Sequence, residues 1–191
     1  MADLTDLDKK ELLALARETM TRHLLSGERA GPAAARPVFL EKRGVFVTLH
    51  DRRGELRGCI GYPLPLKPLR EAVEEMAIAA ATEDPRFPAV TGAELGELVI
   101  EISVLTVPQK VAGPDQVQVG RDGIIVSKGF QRGLLLPQVP VEQGWDLDQY
   151  ISYGCRKAGL AADEWKRGVQ IEVFQAEVFG EPRADGTRER A

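Results

Sequence analysis

The stretch at residues 44–62, which reads GVFVTLHDRRGELRGCIGY, decides the fold prediction because it holds two alternating runs around a turn. The first run, Gly44–His50, alternates apolar and polar side chains, residues 51–54 form the turn, and residues 55–62 return. A period of two is typical of a half-buried strand, and two such runs around a glycine-containing turn predict a β-hairpin.

The register of this hairpin decides which residues share a face. An even turn pairs His50 with Glu55 and places Leu56 and Ile60 on the face of Val45. A three-residue loop with a glycine bulge would shift the register by one and turn the other residues of the second strand to that face. The apolar pattern favours the even register.

Helical periodicity marks three other segments. The first follows the acidic residues Asp6 and Asp8 and ends at Gly27, a typical C-cap. The second runs from about residue 66 to 82, and its apolar stripe consists of Leu69, Ala72, Val73, Met76, Ala77 and Ala80. The third runs from residue 146 to 158.

Alternating runs predict the other strands. One covers residues 98–107, a meander of short strands covers 117–119, 124–127 and 134–139, and a long last strand covers 168–179. Residues 28–36 form a predicted loop. The order α, ββ, α, β, βββ, α, β lacks strict βαβ alternation, so it predicts an α+β fold with helices packed on a mixed or antiparallel sheet.

Composition excludes several classes of protein. The 191 residues contain 43% hydrophobic and 28% charged side chains with a net charge of −4, as in an ordinary globular chain. An acidic chain with 6% aromatic residues is not expected to bind nucleic acid. No apolar run approaches the ~18 residues of a membrane helix, and no signal peptide is recognised, so a cytoplasmic protein is expected.

The densest motif is LRGCIG at residues 56–61. A strand rarely carries two glycines, and Gly58 and Gly61 indicate a bulge or a close approach by a ligand or by another backbone. One interpretation is a pocket in which Arg57 binds an anion and Cys59 is a reactive thiol. The alternative is a tightly packed hairpin with a buried cysteine.

A cysteine nucleophile normally needs a base within hydrogen-bond reach. The chain has two histidines, His23 and His50. In the even register Cys59 lies four residues beyond the partner of His50, or on the order of 13 Å at ~3.3 Å per residue. Neither His50 nor the helical His23 is therefore predicted to serve Cys59, although activation by Arg57 alone stays open.

Two further motifs carry candidate site residues. In DPRFP, at residues 84–88, the prolines stiffen a loop that presents Asp84 and Arg86; alternatively these two side chains bind loop backbone. In LLLPQV and GWD, at residues 134–139 and 144–146, the side chains that could line a cleft are Gln138, Trp145 and Asp146. Alternatively, Asp146 caps a helix and Trp145 is a core residue.

The two cysteines, Cys59 and Cys155, form neither a disulfide framework nor a zinc motif, and Cys155 is interpreted as structural. Phosphate-binding glycine motifs, GxSxG, HExxH and paired carboxylates are absent from the sequence. The prediction therefore includes neither a cofactor nor a metal ion.

Five motifs together resemble the AMMECR domain family, the A protein of the AmmeMemoRadiSam set. They occur in the family's order and are LRGCIG at 56–61, DPRFP at 84–88, LLLPQV at 134–139, GWD at 144–146 and CRKAGL at 155–160. The resemblance covers about residues 7–180. It implies an α+β fold with two intertwined subdomains in residues 1–180, built on a β-α-β-β duplication; residues 181–191 are predicted to be a flexible charged tail.

The resemblance also implies partners, because family members accompany a Memo-type protein and a radical SAM enzyme. We expect an accessory or ligand-binding partner of such proteins; the alternative is an enzyme that uses Cys59 as a nucleophilic or redox thiol in a cleft with Arg57. The predicted catalytic residue is Cys59, and the predicted ligand-binding residues are Arg57, Gly58, Gly61, Asp84, Arg86 and Gln138.

Overall fold

The computed structural model describes residues 4–27 and 36–182. Almost all of the predicted 28–36 loop and of the predicted 181–191 tail lies outside these ranges. Within them, the helices are α1 (Asp6–Ser26), α2 (Leu69–Thr82), α3 (Gln138–Gln143) and α4 (Leu147–Lys157). The strands are β1 (Gly44–His50), β2 (Leu56–Tyr62), β3 (Val99–Leu105), β4 (Gln109–Val111), β5 (Gly123–Lys128), β6 (Gln131–Leu135), β7 (Gln170–Phe174) and β8 (Ala176–Gly180).

The chain divides into two compact units, and each has its own four-stranded sheet. The first unit contains the chain up to Leu105 and from Glu177 onward, and its strand order is β2-β1-β3-β8. The second unit is Thr106–Ala176, with the order β4-β7-β5-β6. These elements confirm the α+β prediction.

In the first unit, α1 and α2 pack together on one face of the sheet. The predicted stripe of α2 is buried against the inward residues of β1 and β3, which are Val45, Val47, Leu49, Ile100, Ile102 and Val104. Helix α1 begins at a capping box formed by Thr5 and Asp8 and ends at Gly27, whose φ is 72°. Helix α2 begins after Pro68, three residues later than predicted.

Apart from Leu56, the even register correctly predicts which residues of β1 and β2 share a face, but it predicts the wrong cross-strand partners. Ile60 lies on the core face, as the even register predicts, and Cys59 lies on the opposite face; their partners are Val47 and Thr48, whereas the even register would give Val45 and Phe46. A shift in register between Leu49 and His50 pairs His50 with Leu56 instead of Glu55. Leu56 is consequently exposed instead of joining the core.

The predicted meander of strands in the second unit is wrong in two places. Residues 117–119 are not a strand, and the short strand β4 occurs before them. Strand β6 ends at Leu135, since Pro137 starts α3, so residues 134–139 are not one strand. Helix α4 begins at Asp146 and packs on β5 and β6, as the predicted apolar face requires.

The predicted long last strand is also wrong, because it breaks at Gln175 into β7 and β8. Strand β7 pairs with β4 and β5, while β8 lies beside β3 in the other sheet. The pairing of β8 with β3 is antiparallel, as the hydrogen bonds from Glu181 N to Ile100 O and from Thr106 N to Gln175 O show. The continuous apolar run that was predicted as one strand therefore contributes one strand to each of the two sheets.

The two halves of the chain, residues 44–111 and 123–180, share one order of elements. Strands β1 and β2 precede α2, β3 and β4; strands β5 and β6 precede α3, α4, β7 and β8. Each half therefore contains the β-α-β-β order, with one more strand before it. In each half the last strand pairs in the sheet of the other half.

Candidate functional site

The DPRF loop after α2 binds the backbone of Cys59 on the edge strand β2. The amide N–H of Cys59 donates to Asp84 Oδ2 at 2.8 Å, and Arg86 Nη2 donates to the Cys59 carbonyl oxygen at 3.4 Å. We call this pair of side chains the Asp84–Arg86 clamp. It satisfies edge-strand groups that would otherwise lack a β partner.

The clamp is a charged pair with one buried and one exposed member. Arg86 Nε and Nη2 donate to Asp84 Oδ1 and Oδ2 at 3.0 and 2.7 Å. The Asp84 side chain is 2% exposed and the Arg86 side chain 54%. The bonds from Arg86, helped by the Cys59 amide, hold the pKa of Asp84 well below its usual range although burial acts to raise it.

The thiol of Cys59 contacts Thr48, while Arg86 contacts the backbone carbonyl of the same residue. The side chain of Cys59 is half-buried, and Thr48 Oγ1 donates to Sγ at 3.2 Å from the paired position on β1. The bond to Asp84 chiefly raises the pKa of the Arg86 guanidinium, and the charge of Cys59 adds to this effect. The structure therefore brings Cys59, Asp84 and Arg86 together.

The two glycines of the LRGCIG motif are positions of close packing. A Cβ atom on Gly58 would lie 2.2 Å from the carbonyl oxygen of Ala80, so the backbone of α2 fills the space beside it. A Cβ atom on Gly61 would lie 2.4 Å from the ring of Phe46. Both glycines thus let neighbouring atoms approach β2 more closely than any other residue would allow.

Arg57 is bound away from the thiol. Its Nε donates to Glu94 Oε1 and its Nη1 to the Pro88 carbonyl oxygen, both at 2.9 Å, and its side chain is 16% exposed. Glu94 also accepts from Thr91, in the capping box of the 3-10 helix Gly92–Glu97. The bonds from the Thr91 backbone and from Arg57 lower the pKa of Glu94. Arg57 therefore ties β2 to this loop.

The observed register of β1 and β2 brings His50 closer to the thiol than predicted. Cys59 lies opposite Thr48, and His50 is two residues further along β1 on the same face. The distance from His50 to the position opposite Cys59 is therefore about 7 Å along the strand, instead of the predicted ~13 Å. Its two ring nitrogens are buried and have no hydrogen-bond partner among the described residues. The expectation that His50 does not bind Cys59 directly therefore agrees with the structure, although the predicted distance was wrong.

The other candidates lie in the second unit. Gln138 is the first residue of α3 and is exposed. Asp146 caps α4 by accepting from the Gln149 amide, and Trp145 stacks on Tyr153 with ring centroids 3.9 Å apart. Cys155 is buried in the core of this unit, and burial raises the pKa of its thiol.

In the part of the chain that the structure describes, no group of three histidine, cysteine or acidic side chains could hold a metal ion. No helix within the described ranges is long and apolar enough to span a membrane.

Residues 13–179 match the AMMECR1 family. The chain belongs to this family. Archaeal AMMECR1-family relatives are similar over most of their length. Protein MJ0810 of Methanocaldococcus jannaschii is 51% identical over 85% of each chain, and protein MK0488 of Methanopyrus kandleri is 47% identical over 100% of this chain and 97% of its own.

A crystal structure has the same fold as this AMMECR1-family chain. The uncharacterized protein PH0010 of Pyrococcus horikoshii superposes with a TM-score of 0.79 at 43% identity, over 98% of both chains. The function of these archaeal relatives is uncharacterised.

Sequence reasoning missed two partners in this AMMECR1-family site. Thr48 donates to the Cys59 thiol, and this contact follows from the strand pairing once the bulge is known. Glu94 binds Arg57; its capping box with Thr91 is visible in the sequence, but the bond to Arg57 joins segments 37 residues apart.

Proposed function

We propose that this AMMECR1-family protein is an accessory, ligand-binding partner of Memo-type and radical SAM proteins, and that Arg86 is its main ligand contact. The supporting observation is the state of the Arg86 guanidinium. Buried Asp84 fixes one edge of it, while the side chain as a whole stays 54% exposed. A guanidinium held in this way is preorganised to bind a carboxylate or a phosphate.

The contacts of the neighbouring groups favour binding over catalysis. Asp84 accepts from Cys59 and Arg86, and Arg57 donates to Glu94 and Pro88. These groups are already engaged in holding the loop to β2. Within the described ranges, the hydrogen bond recorded for the Cys59 thiol comes from a threonine hydroxyl and not from a base.

Calorimetric titration with inorganic phosphate and with a small dicarboxylate at low salt tests the proposal that Arg86 binds an anionic ligand. We expect Arg86→Gln to weaken binding about tenfold or more, and Arg86→Lys to recover part of it because the charge returns without the planar fork. The matched control is Arg53→Gln, which removes the same charge from an exposed residue of the hairpin turn. Equal weakening by Arg53→Gln, or no binding to the wild type, would contradict the proposal.

Co-expression with the Memo-type and radical SAM proteins of the same source tests the partner half, which is supported by the family resemblance. We expect the tagged chain to retain at least one of them, and phosphate or dicarboxylate to change the amount retained. Failure to associate at low salt, with and without these anions, would refute this half and leave the binding test unaffected.

The second candidate function is an enzyme that uses Cys59 as a nucleophilic or redox thiol. The bond from Thr48 Oγ1 to Sγ and the nearby Arg86 charge favour it, since thiolates form beside hydrogen-bond donors and cations. Because Arg57 is bound to Glu94, the cation of this candidate is Arg86.

The rate of iodoacetamide labelling, followed from pH 5 to 10, separates the two functions. For an enzymatic thiol we expect labelling that Cys59→Ser abolishes, that stays fast below pH 7, and that Thr48→Val slows several-fold. Labelling that follows an ordinary thiol near pH 8.5, or no labelling of the folded protein, would exclude this candidate. His50→Gln tests whether the neighbouring imidazole contributes.

A further inference from the structure

A concave site lies in the first unit, between α1 and the exposed face of α2. It has a volume of about 370 Å³, within the ~300–1,000 Å³ of small-molecule sites. We call it the acidic pocket; its polar lining residues are Thr19, Lys67, Glu71, Glu74, Glu75 and Glu83. None of them belongs to the Cys59 site.

The acidic pocket carries more negative charge than the cations among the described residues balance. Lys67 Nζ binds both carboxylate oxygens of Glu75, at 2.8 and 2.6 Å, and Arg70 binds Glu74 at 2.9 Å. For Glu71 and Glu83, the described residues provide no cationic partner. Four carboxylates therefore face one lysine inside the pocket and one arginine beside it.

Two buried hydroxyl groups near these carboxylates, those of Thr19 and Tyr62, lack hydrogen-bond partners within residues 4–27 and 36–182. Thr19 lines the pocket and is 1% exposed, and its Oγ1 has no hydrogen-bond partner among the described residues. The hydroxyl of Tyr62 is likewise buried and unpartnered. Burial, followed by the charges of Glu75 and Glu71, raises the pKa of Tyr62 to about 12. Because unpaired buried hydroxyls are costly, these two indicate a missing polar partner.

The carboxylates are spread along the helix. Glu71 and Glu83 are twelve residues apart, or about 18 Å along the axis at ~1.5 Å per residue, with Glu74 and Glu75 between them. A metal ion needs ligands that converge on one point. An extended cation with several ammonium groups instead matches carboxylates on successive helical turns, and each ammonium is a donor for carboxylate and hydroxyl oxygens.

We propose that the acidic pocket binds an aliphatic polyamine, whose ammonium groups bind Glu71 and Glu83 and donate to the Thr19 hydroxyl. The Lys67–Glu75 pair shows the same interaction within the chain, since a primary ammonium already occupies one of the four carboxylates.

Calorimetric titration of the full chain with spermidine at low salt tests the proposal. We expect Glu71→Gln with Glu83→Gln to weaken binding at least tenfold. The matched control is Glu55→Gln with Glu142→Gln, which removes the same charge from exposed glutamates elsewhere. Equal weakening by both pairs would show general attraction to an acidic surface and overturn the proposal.

Two single variants distinguish a direct effect on spermidine binding from an effect on the stability of the fold. Thr19→Val removes an unpartnered hydroxyl at nearly constant volume, so we expect equal or higher thermal stability with about fivefold weaker binding of spermidine. Lys67→Gln frees Glu75, so we expect spermidine to bind several-fold more tightly. Damage to the fold cannot explain tighter binding, and a decrease in affinity with Lys67→Gln would contradict the proposed contacts.

Titration with other cations shows which class of cation the acidic pocket binds. Mg²⁺ binding as tightly as spermidine, with no effect of Thr19→Val, would assign the pocket to a metal ion instead. A lysine-rich peptide binding more tightly than spermidine would assign it to a protein partner. Arg86→Gln should leave spermidine binding unchanged, so this proposal and the proposed function can fail separately.

Discussion

Asp84 shows how one buried charge fixes the candidate site. Its carboxylate accepts from the Cys59 amide and from three nitrogen atoms of Arg86. These bonds offset the cost of burying the charge, and they fix the loop and the guanidinium beside the thiol. The same residue therefore contributes to stability and to the geometry of the proposed ligand contact.

We expect Asp84→Asn to lower the free energy of unfolding by about 2–3 kcal/mol at pH 7, since a neutral amide cannot replace the bidentate bond to Arg86. Urea denaturation measures this loss. The control is Asp148→Asn, a change at an exposed residue of α4 that should cost less than ~0.5 kcal/mol.

The stability difference between the wild type and Asp84→Asn should depend on pH. Because folding lowers the pKa of Asp84, its contribution is fully present above the unfolded value of about 3.9 and is lost as the pH falls through the lower folded value. The difference should hold from pH 7 to 5, shrink below about pH 4 and continue to shrink in stronger acid. A difference that grows on acidification would contradict the assigned pairing.

At the level of elements, each unit packs a helix against a glycine of its hairpin. Gly58 of β2 faces the carbonyl oxygen of Ala80 in α2, and a Cβ atom there would lie 2.2 Å away. Gly133 of β6 faces the backbone at the end of α4, and a Cβ atom would lie 2.3 Å from the nitrogen of Ala158. The two halves of the chain therefore share this contact.

Gly58→Ala and Gly133→Ala should each destabilise the protein by about 3 kcal/mol, because the obstructing atoms are backbone and cannot rotate away. Thermal unfolding of both variants measures the effect. Gly96→Ala is the control: nothing lies within 4 Å of its Cβ position, and we expect a change within ~0.5 kcal/mol. Stability close to wild type for Gly58→Ala would mean that α2 packs less closely than observed.

At the level of the whole molecule, strand β8 makes the first unit discontinuous, because the chain returns to this unit at Glu177 after the second unit. Strand β8 completes its sheet, and Glu181 just beyond β8 binds Arg17 of α1 and accepts from the Ile100 amide at 2.9 Å. The second unit is one continuous segment, Thr106–Ala176, with a core of its own.

We expect the fragment Thr106–Ala176 to unfold cooperatively on its own, and the fragment 1–105 to fail to fold, because it exposes the edge of β3 and lacks Glu181. Circular dichroism during urea denaturation measures both. Joining residues 176–182 to residue 105 through a short Gly-Ser turn should restore folding, since β3 and β8 are antiparallel neighbours. Cooperative unfolding of 1–105 without β8 would contradict this account.

Local signals predicted much of the fold. The periodicity of α1, α2 and α4, the caps at Gly27 and Asp146, and the alternation of β1 and β3 all depend on residues a few positions apart. The errors have a different origin. The start of α3 at Pro137 and the break at Gln175 fall within continuous apolar runs, where periodicity alone does not show which sheet or helix each part joins.

For the candidate site, the residue types and their stiff setting are visible in the sequence: a thiol near two glycines, and an aspartate and an arginine on either side of a proline. The contacts of these residues are not, because they depend on the tertiary structure. The observed register placed Cys59 opposite Thr48, two residues along β1 from His50; the clamp joined Asp84 to a strand 25 residues away; and the packing of α1 on α2 created the acidic pocket. The physical reason is that turns, caps and periodicity are set by neighbours in the chain, whereas register, edge pairing and pockets are set by which distant segments bury their surfaces together.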